Sequence, residues 1–169
     1  SGLKVSRLCL GTMTFGDTTR DGDAENIVES ARNVGVNFID TADGYAAGAS
    51  EEIVGKLTKH ARNEWIVASK VGSAAGTASR KKALSRKWLL EAIDSSLTRL
   101  QTSFLDVWYL HHVDWETPIE ETVRTVGDII AAGKVRYWGF SNHRGWQVGE
   151  LVHTAEQLGV PKPIVAQPY

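Results

Sequence analysis

Apolar residues recur along this chain with two different periods. Short runs of strand character fall at residues 7–10, 36–39, 65–69, 104–110, 135–140 and 164–166. Between them the apolar positions return every three or four residues. Ala24, Ile27, Val28 and Ala31 make one stripe, and Leu89, Leu90, Ile93, Leu97 and Leu100 a second. Ile119, Val123, Val126, Ile129 and Ile130 make a third. Stripes of that spacing mark amphipathic helices, and strands alternating with helices are the pattern of βα units feeding a parallel sheet. The punctuation agrees. Gly35 and Gly133 stand where helix C-caps belong, just ahead of the next strand, and Pro118 stands near a helix start with Thr117 as its N-cap. A further helix begins near Gly145. Residues 72–85, rich in Gly, Ala, Ser and Thr around Arg80-Lys81-Lys82, read as a long mobile βα loop. Six strands and five helices are expected.

The fold class that fits is α/β, a parallel (β/α)8 TIM barrel. A closed barrel of that kind takes about 250 residues, whereas this chain has 169 and runs out at Gln167-Pro168-Tyr169, directly after the sixth run. An open six-stranded piece exposes two strand edges, which natural proteins avoid. The expectation is therefore one barrel domain over residues 1–169, supplying the first six strands of a longer enzyme. A six-stranded doubly wound sheet is the alternative. It normally carries a Gly-rich dinucleotide loop after its first strand, and Leu10-Gly11-Thr12-Met13-Thr14-Phe15-Gly16 lacks that spacing.

Composition narrows the function classes. A net charge of -1 gives no basic footprint for nucleic acid or anionic lipid. No apolar run approaches the roughly 20 residues of a membrane span, and the start does not resemble a signal peptide. The single Cys9 has no intramolecular disulfide partner, which suits a reducing cytoplasm. Flanked by Leu8 and Leu10, it is expected to be a buried core thiol.

Each strand-like run from the second onward is followed by a polar residue: Asp40, Lys70, His111, Ser141 with Asn142, and Gln167. In a parallel barrel the strand C-termini converge on the face where catalytic groups gather. Tyr45 follows Asp40 by a turn short enough to fold it back over the strand mouth; the plainer reading is an Asx-type turn with Asp43-Gly44 and a surface tyrosine. A lysine ending a buried strand calls for a partner, and Asp40 at the neighbouring strand end is the obvious one; a lysine snorkelling at the rim is the alternative. Two histidines, His111 and His112, close the fourth run, and strand alternation lets only one point into the mouth. Their spacing from Asp114 is poor for a metal and no Cys cluster accompanies them. The hydroxyl and amides of Ser141, Asn142 and Gln167 suit recognition of a carboxamide or sugar; the plainer reading has Ser141 or Asn142 capping the helix near Gly145. Trp115 walls a substrate pocket or covers a loop.

In this order the motifs resemble the aldo-keto reductase family, in particular its bacterial members related to potassium-channel β subunits. The matching stretches are residues 1–6 and 10–16, Asp40-Thr41-Ala42-Asp43-Gly44-Tyr45, Ser50-Glu51-Glu52 and Ala68-Ser69-Lys70. Leu110-His111-His112-Val113-Asp114, Gly139-Phe140-Ser141-Asn142 and Ala166-Gln167-Pro168-Tyr169 complete them. The resemblance implies a catalytic tetrad of Asp40, Tyr45, Lys70 and His111, with His111 chosen over His112 by the family spacing from Asp106. It implies cofactor contacts at Gly11, Thr12, Met13, Asp40, Ser141, Asn142 and Gln167, the last three on a nicotinamide carboxamide. NADPH as cofactor and a small-molecule carbonyl substrate follow from the family, with neither nucleic acid nor membrane as partner, and a homo-oligomer is compatible with it. The family's segment for the adenosine 2′-phosphate lies beyond the residues present, so NADPH over NADH rests on family habit.

The chemistry implied is reduction of an aldehyde or ketone to an alcohol by hydride transfer. A phenol of ordinary pKa is a poor acid near neutrality, and Lys70, oriented by Asp40, would stabilise its phenolate. His111 would hydrogen-bond the carbonyl oxygen. Three other readings stand beside this one: a non-catalytic nucleotide-binding subunit on the same scaffold, a Schiff-base lyase using Lys70, and an inert fragment.

Overall fold

The computed structural model describes residues 1–72 and 84–168. Its strands are β1 (Leu10–Gly11), β2 (Phe38–Asp40), β3 (Ile66–Val71), β4 (Leu105–Leu110), β5 (Val135–Ser141) and β6 (Val165–Gln167). They lie side by side in chain order, each parallel to the next, as a curled half-barrel. The helices are α1 (Asp21–Asn33), α2 (Ala49–Thr58), α3 (Arg86–Arg99), α4 (Ile119–Ala131) and α5 (Gly145–Leu158). Each joins one strand to the next, the long crossover that parallel pairing requires. The expected α/β architecture of a partial (β/α)8 barrel is what the chain forms.

Strand alternation sorts the side chains into two layers. On β3, Val67 and Val71 face the helices while Ile66, Ala68 and Lys70 face inward. The outer core joins Trp108 and Trp138, paired across β4 and β5, to Leu89, Ile93, Val126 and Ile129 of the helices. The inner floor is Ala68, Val107 and Tyr109, with Phe38, Ile66, Tyr137, Val165 and the N-terminal Leu3 packed against them. A polar cluster sits above this floor at the strand C-termini.

Several boundaries differ from the sequence pattern. Residues 7–8 form a bend, because Ser6 and Asn37 exchange side-chain hydrogen bonds and Ser6 Oγ donates to Leu8 O at 2.6 Å. Such local bonds compete with the ladder. Asp40, Lys70, Ser141 and Gln167 lie inside their strands, since backbone pairing continues through polar residues: Lys70 pairs with Tyr109 and Gln167 with Ser141. Gly35 and Gly133 do close α1 and α4 with φ of 84° and 75°. Thr117, however, does not cap α4. Its hydroxyl donates to Asp114 Oδ2 at 2.6 Å, and Pro118 occupies the N-cap position. Neither Ser141 nor Asn142 caps α5; Arg144 does, its N–H donating to Gln147 Oε1 at 2.7 Å. Cys9 is exposed rather than buried. It precedes β1, which among the described residues pairs with β2. The expected mobile loop falls almost wholly on residues 73–83, outside those described. Among the described residues no helix is long and apolar enough to cross a membrane.

Candidate active site

Lys70 is the centre of the polar cluster. Only 1% of it is exposed, yet its ammonium donates to Asp40 Oδ2 at 2.6 Å, Thr41 O at 2.9 Å and Tyr45 Oη at 3.0 Å. Three acceptors for three N–H bonds is what allows a lysine to be buried at all. β2 supplies Asp40, and the loop behind it supplies Tyr45. That loop is pinned to β3 by Thr41 N–H donating to Ala68 O at 3.0 Å and Asp43 N–H to Lys70 O at 3.1 Å. The tyrosine ring comes back over the strand end with its centroid 4.6 Å from Lys70 Nζ. The snorkelling lysine and the surface tyrosine are therefore not what forms.

His111 follows β4, its N–H donating to Val71 O at 2.8 Å. Its ring meets Tyr45 edge-on at 6.0 Å and stacks on His112 at 4.6 Å. Both histidines thus face the mouth, against the alternation expectation, because the chain leaves extended geometry at His111 and alternation no longer applies. Burial, with Lys70 and His112 adding to it, pushes His111 down to about 3. Its imidazole is neutral at ordinary pH and has one N–H to donate. Nδ1 is buried without a partner among the described residues.

The amide-bearing side follows β5 and β6. Ser141 Oγ donates to Gln167 O at 2.8 Å, Asn142 Nδ2 to His111 O at 2.9 Å, and Gln167 Nε2 reaches Asp40 Oδ2 at 3.3 Å. Asn142 adopts φ of 57°, a left-handed conformation asparagine tolerates better than most. Asn142 donates both amide N–H groups to the protein and Gln167 one, whereas both amide oxygens accept nothing from the described residues. They fit a ligand that donates, such as a carboxamide NH2. Beside them opens a cavity of about 580 Å³ lined by His112, Trp115, Asn142, His143 and Arg144 among others.

The residues expected after β1 divide. Gly11 pairs with Asp40 in the ladder and Met13 is exposed. Thr12 is fully buried: its hydroxyl donates to Asp40 O at 3.0 Å and contacts Ser50 Oγ at 2.9 Å. Thr12 therefore braces Asp40 from behind. Among the described residues no group of His, Cys, Asp and Glu is placed to hold a metal ion.

A second layer of charge lies under the cluster. Glu51 is completely buried; its Oε1 accepts from Ser69 Oγ at 2.5 Å and its Oε2 from Arg99 Nε at 2.7 Å. Asp43 sits near both charges. Burial first, then the nearby Glu51, push its carboxyl up to about 7 despite Arg99 and the N–H groups of Gly44 and Gly72. Residue types alone did not single out Arg99; Asp43 was read only as a turn residue, and Glu51 was visible only within Ser50-Glu51-Glu52.

Comparison with known proteins agrees with this geometry. The profile of the aldo/keto reductase family matches residues 7–168. A probable voltage-gated potassium channel subunit beta of Arabidopsis thaliana is 40% identical over 172 residues, which takes in 99% of this chain and 52% of that protein. The same-named protein of Oryza sativa subsp. japonica is 38% identical with the same coverage. The chain thus spans about half the length of the curated relatives it matches. With the family profile covering all but its first six residues and its last, the chain belongs to the aldo/keto reductase family.

Proposed function

We propose that the protein reduces an aldehyde or ketone to the alcohol with NADPH. The observation that carries this reading is the hydrogen-bonded series Asp40–Lys70–Tyr45 at the strand C-termini, with a neutral His111 beside it. When bound, the reduced nicotinamide supplies the hydride to the carbonyl carbon. Tyr45 Oη gives its proton to the carbonyl oxygen, so that the C=O becomes CH–OH. Lys70 Nζ, 3.0 Å from Tyr45 Oη, stabilises the negative charge left on the phenolate, and Asp40 orients the ammonium. His111 donates its remaining N–H to the carbonyl oxygen and selects aligned substrates. Asn142 and Gln167 would hold the carboxamide of the cofactor through their open amide oxygens. The cavity beside Trp115 and Arg144 receives the rest of the substrate.

NADPH over NADH rests on family habit; the ratio of kcat/KM for the two tests it. The reductase reading is tested by following nicotinamide absorbance with a panel of aldehydes and ketones on the full-length protein. Tight NADPH binding with no turnover of any of them would overturn it and favour the second reading, a nucleotide-binding channel subunit. That reading draws on the names of the plant relatives. A lyase with Lys70 as nucleophile is disfavoured, because an ammonium hydrogen-bonded to a carboxylate offers no lone pair.

A further inference from the structure

We infer that Arg99, on α3 and outside the reactive cluster, is a positioning residue that sets Tyr45 against Lys70 through Glu51. The inference rests on the reductase reading for its kinetic consequence and on geometry for its cause.

The segment that carries Tyr45 has a backbone ordinary residues avoid. Ala46 (φ 47°, ψ 41°) and Ala47 (φ 54°, ψ 30°) are both left-handed. Each such residue costs about 1–2 kcal/mol without a glycine, so contacts elsewhere must hold the turn in place. Gly48 follows with φ of 102°, and a Cβ there would stand 2.9 Å from Arg99 Cδ and 3.1 Å from its Nε. The Arg99 side chain lies directly on the turn.

The other end of Arg99 is anchored. Its Nε donates to Glu51 Oε2 at 2.7 Å, and its Nη2 forms an ion pair with the same oxygen at 2.6 Å. The second oxygen of Glu51 accepts from Ser69, the residue before Lys70. One buried carboxylate therefore ties the strand that carries Lys70 to the guanidinium that presses on the turn carrying Tyr45. Neither Arg99 nor Glu51 contacts the phenol or the ammonium, so both act only through what they hold.

A purely structural ion pair would behave differently. Buried pairs add little net stability over apolar replacements, though breaking one destabilises. A structural role shows in Tm alone, whereas displacing catalytic groups by an ångström lowers turnover. Arg62 provides the control: it forms a comparable, largely buried pair with Asp106 at 2.8 Å, and its Nη1 donates to Trp65 O, just before β3 begins.

The experiment compares Arg99→Met, Arg99→Ala, Arg99→Lys and Arg62→Met in the full-length protein. Arg99→Met is expected to lower kcat about 100-fold with KM for NADPH changed less than about threefold. Guanidinium in solution restores part of the Arg99→Ala loss, and Arg99→Lys retains an intermediate rate. Arg62→Met lowers Tm with kcat unchanged. Equal kcat in Arg99→Met and Arg62→Met, or a loss confined to KM for NADPH, would overturn the inference. A second readout is independent of turnover. In protein labelled at the tyrosine ring carbons, Arg99→Met shifts the Tyr45 resonance and Arg62→Met does not. A wild type without reductase activity sinks the reductase reading; an unmoved Tyr45 resonance sinks this one.

Discussion

Tyr45 Oη stands 3.0 Å from Lys70 Nζ, although the two residues arrive on separate elements. Lys70 is fixed within β3, in register with Tyr109 of β4 and with its carbonyl accepting from Asp43 N–H, while Tyr45 hangs from the loop after β2. The rigid partner is thus the cation and the adjustable one the acid. Precision at the site depends on what constrains the loop.

Replacing Tyr45 by Phe removes the proton donor and little else. Turnover is expected to fall about 10²- to 10⁴-fold, the range a positioned general acid contributes. NADPH binding, read by nicotinamide fluorescence, stays near wild type. Lys70→Met lowers turnover by a similar order, because the charge left on Tyr45 then has no cation beside it. Retention of more than a tenth of the rate in Tyr45→Phe would remove the phenol from the mechanism.

The amide oxygens of Asn142 and Gln167 are predicted to act on the cofactor. Gln167→Ala and Asn142→Gly are the informative variants, glycine being chosen because φ at position 142 is 57°. Loss of one such hydrogen bond is worth about 1–3 kcal/mol, hence roughly 5- to 150-fold in Kd for NADPH. Isothermal titration reads it directly. An unchanged Kd in both variants would place the carboxamide elsewhere.

Much of this arrangement was legible in the chain. Short apolar runs and period-3.6 stripes located all six strands and most of the helices, because burial of a strand or of one helix face imposes those patterns. Asp40, Lys70 and His111 were visible as polar residues at the ends of apolar runs, where a soluble barrel has no structural need of them. What stayed hidden was non-local or local in a different sense. Glu51 and Arg99 are separated by 48 positions, and nothing in either neighbourhood announces the other. Thr117 has the residue type of an N-cap, but Asp114 offers two oxygens and takes its hydroxyl. Cys9 has apolar neighbours and still ends exposed, so flanking residues alone do not decide burial.

Two half-buried titratable groups give opposite pH signatures. Asp43 is raised from 3.8 to about 7 in the folded protein, so the folded state holds its proton more tightly than the unfolded chain. Its contribution to stability is fully present below about pH 4 and is lost as pH rises through 7. Asp43→Asn is therefore expected to raise Tm relative to wild type more at pH 8 than at pH 4. His111 is lowered to about 3, so the unfolded chain binds protons first as pH falls from about 6.5. That destabilises the fold on acidification, and no acid limb of the rate profile near pH 6 belongs to His111. Ring NMR of His111 should report a neutral imidazole down to about pH 4; a midpoint near 6.5 would refute the assignment.

The last prediction concerns the seam that holds Glu51 and Arg99 in register. Gly55 on α2 packs on the end of α3: a Cβ there would lie 2.5 Å from Leu100 C and 2.6 Å from Leu100 O. Backbone atoms cannot rotate away, so Gly55→Ala must push α2 from α3. Overpacking of this kind costs about 1–3 kcal/mol. Gly127 on α4 is equally close to its neighbour on paper, with a Cβ 2.7 Å from Val160 Cγ2. There the obstacle is a methyl that can turn about χ1, and alanine is the better helix former. Gly55→Ala is expected to lower Tm clearly while Gly127→Ala changes it little. Equal losses in thermal unfolding would mean that the α2–α3 seam yields as easily as a side chain, and that it cannot hold Arg99 on the Tyr45 turn.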